Sequence, residues 1–205
     1  MKNNKISEKD RLKENIESFR INFEHSIKRK NVVVGFTSTD DKVHKTDAIV
    51  SLARSLSKSG KKVVLIDANF RNPEVGKVSR NENVNGLRNI LIKRRPYVNE
   101  ITQDIYEKNL DLILTGDIIE EPVKYIDSEH MKQFIYAIRT DYDYVLIDTP
   151  SNKNYPDANL ISTIVDGFIV VTKKGESKRK ELDYCVESIE KVGGRVYGIV
   201  VTNCD

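Results

Sequence analysis

Apolar residues along this chain fall into short bounded runs separated by amphipathic stretches. Residues 7–29 place Leu12, Ile16, Phe19, Phe23 and Ile27 at spacings of three and four, which predicts a helix with one apolar stripe; Ser7 with Asp10 supplies an N-cap. The β-branched run Val32-Val33-Val34-Gly35-Phe36 ends in polar Thr37-Ser38-Thr39-Asp40-Asp41, and a helix follows from about Thr46 to Ser59. Gly60 closes that helix, and residues 61–67 form a second apolar strand ending at Asp67. Further on, 110–114, 144–148, 167–171 and 196–201 read as strands, and 128–139, 157–164 and 179–192 as helices.

Strands apolar on both faces that alternate with helices specify an α/β fold: a mostly parallel sheet with helices on both faces, three-layer α/β/α. Residues 1–30 are expected to form an N-terminal helical segment and 31–205 a single α/β domain. Ligands of such sheets bind at the carboxyl ends of the strands. Those ends are polar here: Thr37-Ser38, Asp67-Ala68-Asn69, Asp148-Thr149-Pro150 and Thr202-Asn203.

Composition narrows the function classes. The 205 residues are 39% hydrophobic and 32% charged, enough apolar surface for a folded core. The net charge of +3 is too mild to imply nucleic acid. Basic runs at Lys28-Arg29-Lys30, Lys93-Arg94-Arg95, Lys173-Lys174 and Lys178-Arg179-Lys180 read first as solvated loops and helix ends, and otherwise as contacts for an acidic partner or an anionic membrane face. Apolar runs such as 63–66 fall far short of the roughly 20 residues a membrane span needs. The N-terminus lacks the apolar segment of a secretory signal, and Cys185 and Cys204 show no framework spacing, so a cytoplasmic, reducing location is expected.

The chemistry gathers behind the first strand. A phosphate-binding loop reads G-x-x-x-x-G-K-[ST]: glycines let backbone amides wrap the phosphates, lysine neutralises them and the hydroxyl ligates magnesium. Lys45-Thr46 stands in that register at a helix start, but His44 occupies the glycine position, and Asp40, Asp41 and Lys42 replace small residues. Two apolar strands each deliver an aspartate at the tip, in Leu65-Ile66-Asp67-Ala68-Asn69-Phe70-Arg71-Asn72-Pro73 and Ile147-Asp148-Thr149-Pro150-Ser151. The second has the form of a strand whose aspartate holds magnesium.

These motifs resemble the bacterial tyrosine kinases of capsule and exopolysaccharide synthesis, which carry a phosphate loop, a strand of the form L-I-D-x-D-x-R-x-P and a strand ending I-D-T-P-P. Further matches are Asn85-Gly86-Leu87, Leu114-Thr115-Gly116 before Pro122, Asp157-Ala158, Asp166-Gly167 and the final Gly198-Ile199-Val200-Val201-Thr202-Asn203, so the resemblance spans nearly the whole chain. It implies a P-loop NTPase-like fold, ATP or ADP with Mg²⁺ as cofactors, and the cytoplasmic segment of a membrane polysaccharide chain-length regulator as partner. By the same resemblance Lys45, Asp67 and Asn69 would form the catalytic centre, and Lys42, His44, Lys45, Thr46, Asp47 and Asn203 would contact nucleotide. Thr46 and Asp148 would hold magnesium.

The departures fall on that chemistry. A β-carbon at His44 strains a left-handed turn and crowds the phosphate. A like charge from Asp40 or Asp41 about 4 Å from a triphosphate, at an effective dielectric near 20, costs about 4 kcal/mol, roughly a thousandfold in affinity. Asn69 replaces a second carboxylate. The family's self-association pattern E-x-x-R-x-x-R becomes Glu17-x-x-Arg20-x-x-Phe23, which puts homo-oligomer assembly through it in doubt, and no C-terminal tyrosine cluster is present. Tyr142, Tyr144 and Tyr155 read as packing or loop aromatics. The expected function is a scaffold or regulator of polysaccharide synthesis with weak or absent ATP binding. The alternatives are an active tyrosine autokinase with an unusual loop and an ATPase of the partitioning and division-site type.

Overall fold

The architecture follows from strands that are apolar on both faces, which are satisfied only when helices cover both sides of the sheet. The structure is a computed structural model that describes residues 7–81 and 85–203, the Lys9 side chain excepted. Cys204 therefore lies outside the described residues, while Cys185 is a buried free thiol. The chain runs α1 (Glu8–Ser26), β1 (Val32–Ser38), α2 (Lys45–Lys58), β2 (Val63–Asp67), α3 (Val75–Ser79), α4 (Leu87–Lys93), β3 (Thr102–Gln103) and β4 (Leu110–Ile113). It continues through α5 (Pro122–Ile126), α6 (Glu129–Arg139), β5 (Tyr144–Asp148), α7 (Asp157–Ser162), β6 (Gly167–Lys173), α8 (Arg179–Lys191) and β7 (Val196–Thr202).

The seven strands lie in the order β3-β4-β2-β5-β1-β6-β7, every pairing parallel except the short β3 against β4. Alternation along the strands feeds two cores. On one face Val32, Val34 and Phe36 of β1 and Val63 and Leu65 of β2 pack on α1 and α2; on the other, Val33, Val64 and Ile66 pack toward α4, α6, α7 and α8. Gly35 is required inside β1, because a β-carbon there would overlap the ring of buried Phe168 on β6. Strand β1 runs two residues further than the apolar pattern. Thr37 and Ser38 pair with Val170 and Val171, and their hydroxyls donate to the Pro150 and Asp40 carbonyls, so polar residues are satisfied within the ladder.

Helix α1 is capped as expected, the Ser7 hydroxyl accepting from the Asp10 N–H. Only the C-terminal part of its stripe is core: Phe23 and Ile27 are buried, whereas Leu12 is 60% exposed. Helices α3, α4 and α5, of five to seven residues, and the two-residue β3 are the elements that periodicity misses. Two of the sequence motifs explain each other here. Leu87 N–H and Arg88 N–H donate to the Leu114 and Thr115 carbonyls at 2.7 and 2.9 Å, and a β-carbon at Gly86 would overlap the Leu114 carbonyl. The Asn85-Gly86-Leu87 and Leu114-Thr115-Gly116 segments thus form one close backbone junction beyond β4.

Candidate functional site

Strands β2, β5 and β1 are neighbours in the sheet, and their carboxyl ends converge. In the β2–β5 register Asp67 lies directly beside Asp148, and in the β1–β5 register Phe36 lies beside it on the other side. Helix α2 begins seven residues after β1 and brings Lys45 and Thr46 onto the same spot. The Lys45 ammonium donates to Asp148 Oδ1, and the Thr46 hydroxyl donates to Asp148 Oδ2 at 2.8 Å. Lys45, Thr46, Asp67 and Asp148 are all buried. Asp67 accepts from the backbone N–H groups of Asn69 and Val75 at 3.0 and 3.1 Å. Burial, and after it the negative charge of Asp148, pushes the Asp67 carboxyl up to about 7.

The loop ahead of α2 turns where a glycine would be expected. His44 sits at φ 54° and ψ 38°, in the left-handed region, and its side chain does not cap α2. The imidazole, 56% exposed, instead faces the Asp47 carboxylate at 3.2 Å. The substitution therefore places a β-carbon in the turn while the ring points to solvent. Lys42 is exposed, and its N–H donates to Asp40 Oδ1. Asp40 is not an unpartnered negative charge: the Lys153 ammonium lies 3.0 Å from Oδ2. That contact, followed by the Lys42 N–H, holds the Asp40 carboxyl below its ordinary value. The repulsion expected from Asp40 is offset by Lys153, 113 residues away.

Asn69 accepts from the Asn72 N–H through its side-chain carbonyl at 3.1 Å, closing a turn. An amide oxygen serves that bond as a carboxylate would, so Asn69 is a turn residue in this arrangement. Arg71 makes a two-pronged pair with buried Asp157, 3.0 Å at both contacts, and its guanidinium lies 3.9 Å over the Tyr155 ring. Two of the sequence matches, the Arg of the β2 motif and Asp157, are thus one structural clamp. Tyr142 and Tyr144 are buried, the Tyr142 hydroxyl donating to Asp111. Asn203 is exposed beyond β7; its neighbour Thr202 ties that strand to the loop by donating to the Val43 carbonyl at 2.9 Å.

Sequence reasoning missed Glu74, whose carboxylate lies 3.4 Å from the Thr46 hydroxyl, and Lys153. It also missed a cavity of about 440 Å³ at the mouth of the cluster, where Asp67 faces Lys77, Arg80 and Thr115. Lys77 lines a second groove of about 240 Å³ as well, along Lys42, His44, Asp47 and Glu74. A lone Glu or Lys in a loop carries no pattern that could have announced these roles.

The donor set can be tested against a magnesium nucleotide. The Thr46 hydroxyl and the Asp148 carboxylate present adjacent hard oxygens, which suit Mg²⁺. Lys45 would have to exchange Asp148 for phosphate, and the loop offers a left-handed turn without the open space that glycine would leave. The metal donors fit; the phosphate cradle fits in backbone conformation but not in side-chain volume.

A family model described as an AAA domain matches residues 33–196. Tyrosine-protein kinase YwqD of Bacillus subtilis (strain 168) is 29% identical over 189 residues, covering 92% of this chain and 79% of that protein. The kinase domain of Escherichia coli tyrosine kinase ETK superposes with a TM-score of 0.87 at 22% identity, over 93% of this chain and 74% of that one. The septum site-determining protein MinD complexed with Mg-ADP from Pyrococcus horikoshii OT3 has a TM-score of 0.71 at 20% identity, over 83% and 69% respectively. At those identities the two structures speak to the fold, a P-loop NTPase-like sheet. The chain belongs to the AAA domain family and to the family of bacterial capsular tyrosine-protein kinases.

Proposed function

We propose that this protein is a cytoplasmic scaffold or regulator of capsule and exopolysaccharide synthesis that keeps the kinase fold and binds ATP weakly. The observation that carries this reading is the loop before α2, in which the residue ahead of Lys45 holds a left-handed turn with a β-carbon. Close approach of phosphate to backbone amides is what that position normally permits, and the extra carbon obstructs it. Lys45 is also committed to Asp148, so binding a phosphate costs an existing buried ion pair.

In this reading Lys42, His44, Lys45, Thr46 and Asp47 form what remains of the phosphate site, Asn203 faces the base, and Thr46 with Asp148 hold any magnesium. Bound magnesium nucleotide would supply a transferable phosphoryl group and the charge to neutralise it. The partner would be the cytoplasmic segment of a membrane chain-length regulator. Residues 1–30 would be an N-terminal helical segment packing on or extending from the kinase-fold domain of residues 31–205. Self-association through the α1 pattern finds no support, because Phe23, at the position of its last arginine, is buried against Phe36 and Tyr144. Glu17 is engaged with Arg20 and the Ser55 hydroxyl.

A second reading, an active tyrosine autokinase, draws on a specific observation. The buried Asp67 carboxylate opens onto the 440 Å³ cavity beside Lys77 and Arg80, a place where an acceptor hydroxyl could meet a base. Titration with labelled ATP and magnesium, together with an autophosphorylation assay, separates the two. Weak binding without phosphate transfer is expected. Micromolar binding with transfer abolished by Lys45→Ala would overturn the scaffold reading in favour of the kinase.

A further inference from the structure

At the amino ends of the strands, on the side of the sheet away from Asp67 and Asp148, lies a second concave surface of about 260 Å³. Its walls carry His25, Lys28, Arg29 and Arg195 over a floor of Ile27 and Tyr197, and no carboxylate lines it among the described residues. The fold builds this groove from two distant parts of the chain. Helix α1 stops at Ser26, Ile27 turns inward to 4% exposure, and the chain then crosses to β1. On the opposite wall the β6–β7 register slips by one residue: Phe168 pairs with Val196 and Ile169 with Gly198, so Tyr197 is the bulged residue and packs on the α1 side. Bulges re-aim side chains in this way and recur near working surfaces.

The cations there are not consumed by the fold. Arg29 reaches Asp166 only at 3.8 Å, and the nearer partner of that carboxylate is Arg139 at 3.1 Å. Lys28, Lys30 and Arg195 make no ion pair among the described residues, and all three are exposed. The Arg195 guanidinium instead lies 5.2 Å over the Tyr197 ring, a stacking that restrains the fork while leaving its donors free. Free donors held in a fixed orientation suit carboxylates, which they engage by paired charge-assisted hydrogen bonds.

We propose that this groove docks an acidic peptide segment of a partner protein. A bilayer is disfavoured as occupant by shape and by chemistry. The surface is concave, and none of the protein's exposed large apolar side chains lies at 25–31 or 195–197, so nothing there would insert among lipids. Because the groove is at the end of the sheet opposite the phosphate loop, it can be filled whether or not nucleotide is bound.

The test is fluorescence anisotropy of a labelled oligoglutamate peptide on the whole chain, alongside flotation with phosphatidylserine vesicles. Lys28→Glu with Arg195→Glu is compared with Lys93→Glu plus Lys108→Glu, an equal change of net charge elsewhere. Peptide affinity is expected to fall about tenfold or more in the first double variant, to stay within about twofold in the second, and to weaken with salt in the parent. Lys28→Gln with Arg195→Gln, melted alongside, should reproduce the loss with an unchanged melting temperature. Equal losses in the two charge-reversal variants would overturn the proposal, as would a parent that captures vesicles but not peptide, or a loss that tracks only a lowered melting temperature.

Discussion

His44→Gly isolates the cost of the side chain in the phosphate loop. At φ 54° and ψ 38° an L-residue pays about 1–2 kcal/mol, and histidine lies at the low end because it visits this region more readily than most residues. Glycine removes that strain but gains freedom in the unfolded chain, a loss of about 0.5–1 kcal/mol. The contact given up is an exposed one, His44 with Asp47, with side chains 56% and 59% exposed, and such pairs contribute little. The balance is a stabilisation of about 0.5 kcal/mol, or roughly 1–2 °C in melting temperature for a domain of this size.

Arg94→Gly provides the comparison, since Arg94 holds φ 54° at the end of α4 and lies outside the site. Thermal melts should rise slightly in both variants, whereas ATP titration should improve only in His44→Gly. The strain itself is present with and without nucleotide, so it cannot weaken binding; only the volume of the β-carbon and the crowding of the amides can. A destabilised His44→Gly, or equal changes in nucleotide affinity for the two variants, would refute this reasoning.

Three further outcomes follow from the buried cluster and from α1. Asp148→Asn leaves the Lys45 ammonium, 7% exposed, without its carboxylate and should cost about 3–5 kcal/mol in urea denaturation; an unchanged midpoint would contradict the pair. The Asp67 carboxyl is raised from 3.8 to about 7, so the folded state holds its proton more tightly than the unfolded chain. That contribution is complete below pH 3.8 and is lost as pH rises to about 7, so stability followed across this window should decline in the parent and decline less in Asp67→Asn. Phe23→Arg, which restores the last arginine of the family's self-association pattern, should destabilise by about 3 kcal/mol or more, because it buries a charge where Phe23 is 2% exposed. Sedimentation showing folded rings instead would mean that α1 can leave its site without loss.

The sheet was legible because Val63–Asp67, Tyr144–Asp148 and Gly167–Lys173 are apolar runs that only a strand buried on both faces explains. The helices with stripes, α2, α6 and α8, were legible from their spacing for the same reason. Val75–Ser79 and Pro122–Ile126 were not, since five residues make little more than one turn and leave no period to detect. Thr102–Gln103 is a strand only because β4 offers it an edge, information that is absent from two residues. At the site, the tips bearing Asp67 and Asp148 could be named from strand ends, and Lys45-Thr46 from its register ahead of a helix. What the sequence could not supply was partnership across distance: that Arg71 is spent on Asp157, or that Lys153 answers Asp40.

That last pairing changes where the altered loop exerts its effect. Charge counting along residues 40–47 makes the loop hostile to a triphosphate, yet Asp40 carries its own counter-ion and Asp47 faces His44. The Lys42 ammonium makes no ion pair among the described residues, its N–H alone reaching Asp40, and Asp41 is the negative group of the loop without an ion-pair partner among them. The electrostatic penalty therefore rests mainly on Asp41, and the steric one on the β-carbon of His44. The two are separable: Asp41→Asn should recover affinity with a salt dependence, since exposed charges are screened, whereas recovery by His44→Gly should be insensitive to salt. If both recoveries proved equally salt-sensitive, the distinction between charge and volume at this loop would fail, and the obstruction would have to lie in the Lys45–Asp148 pair itself.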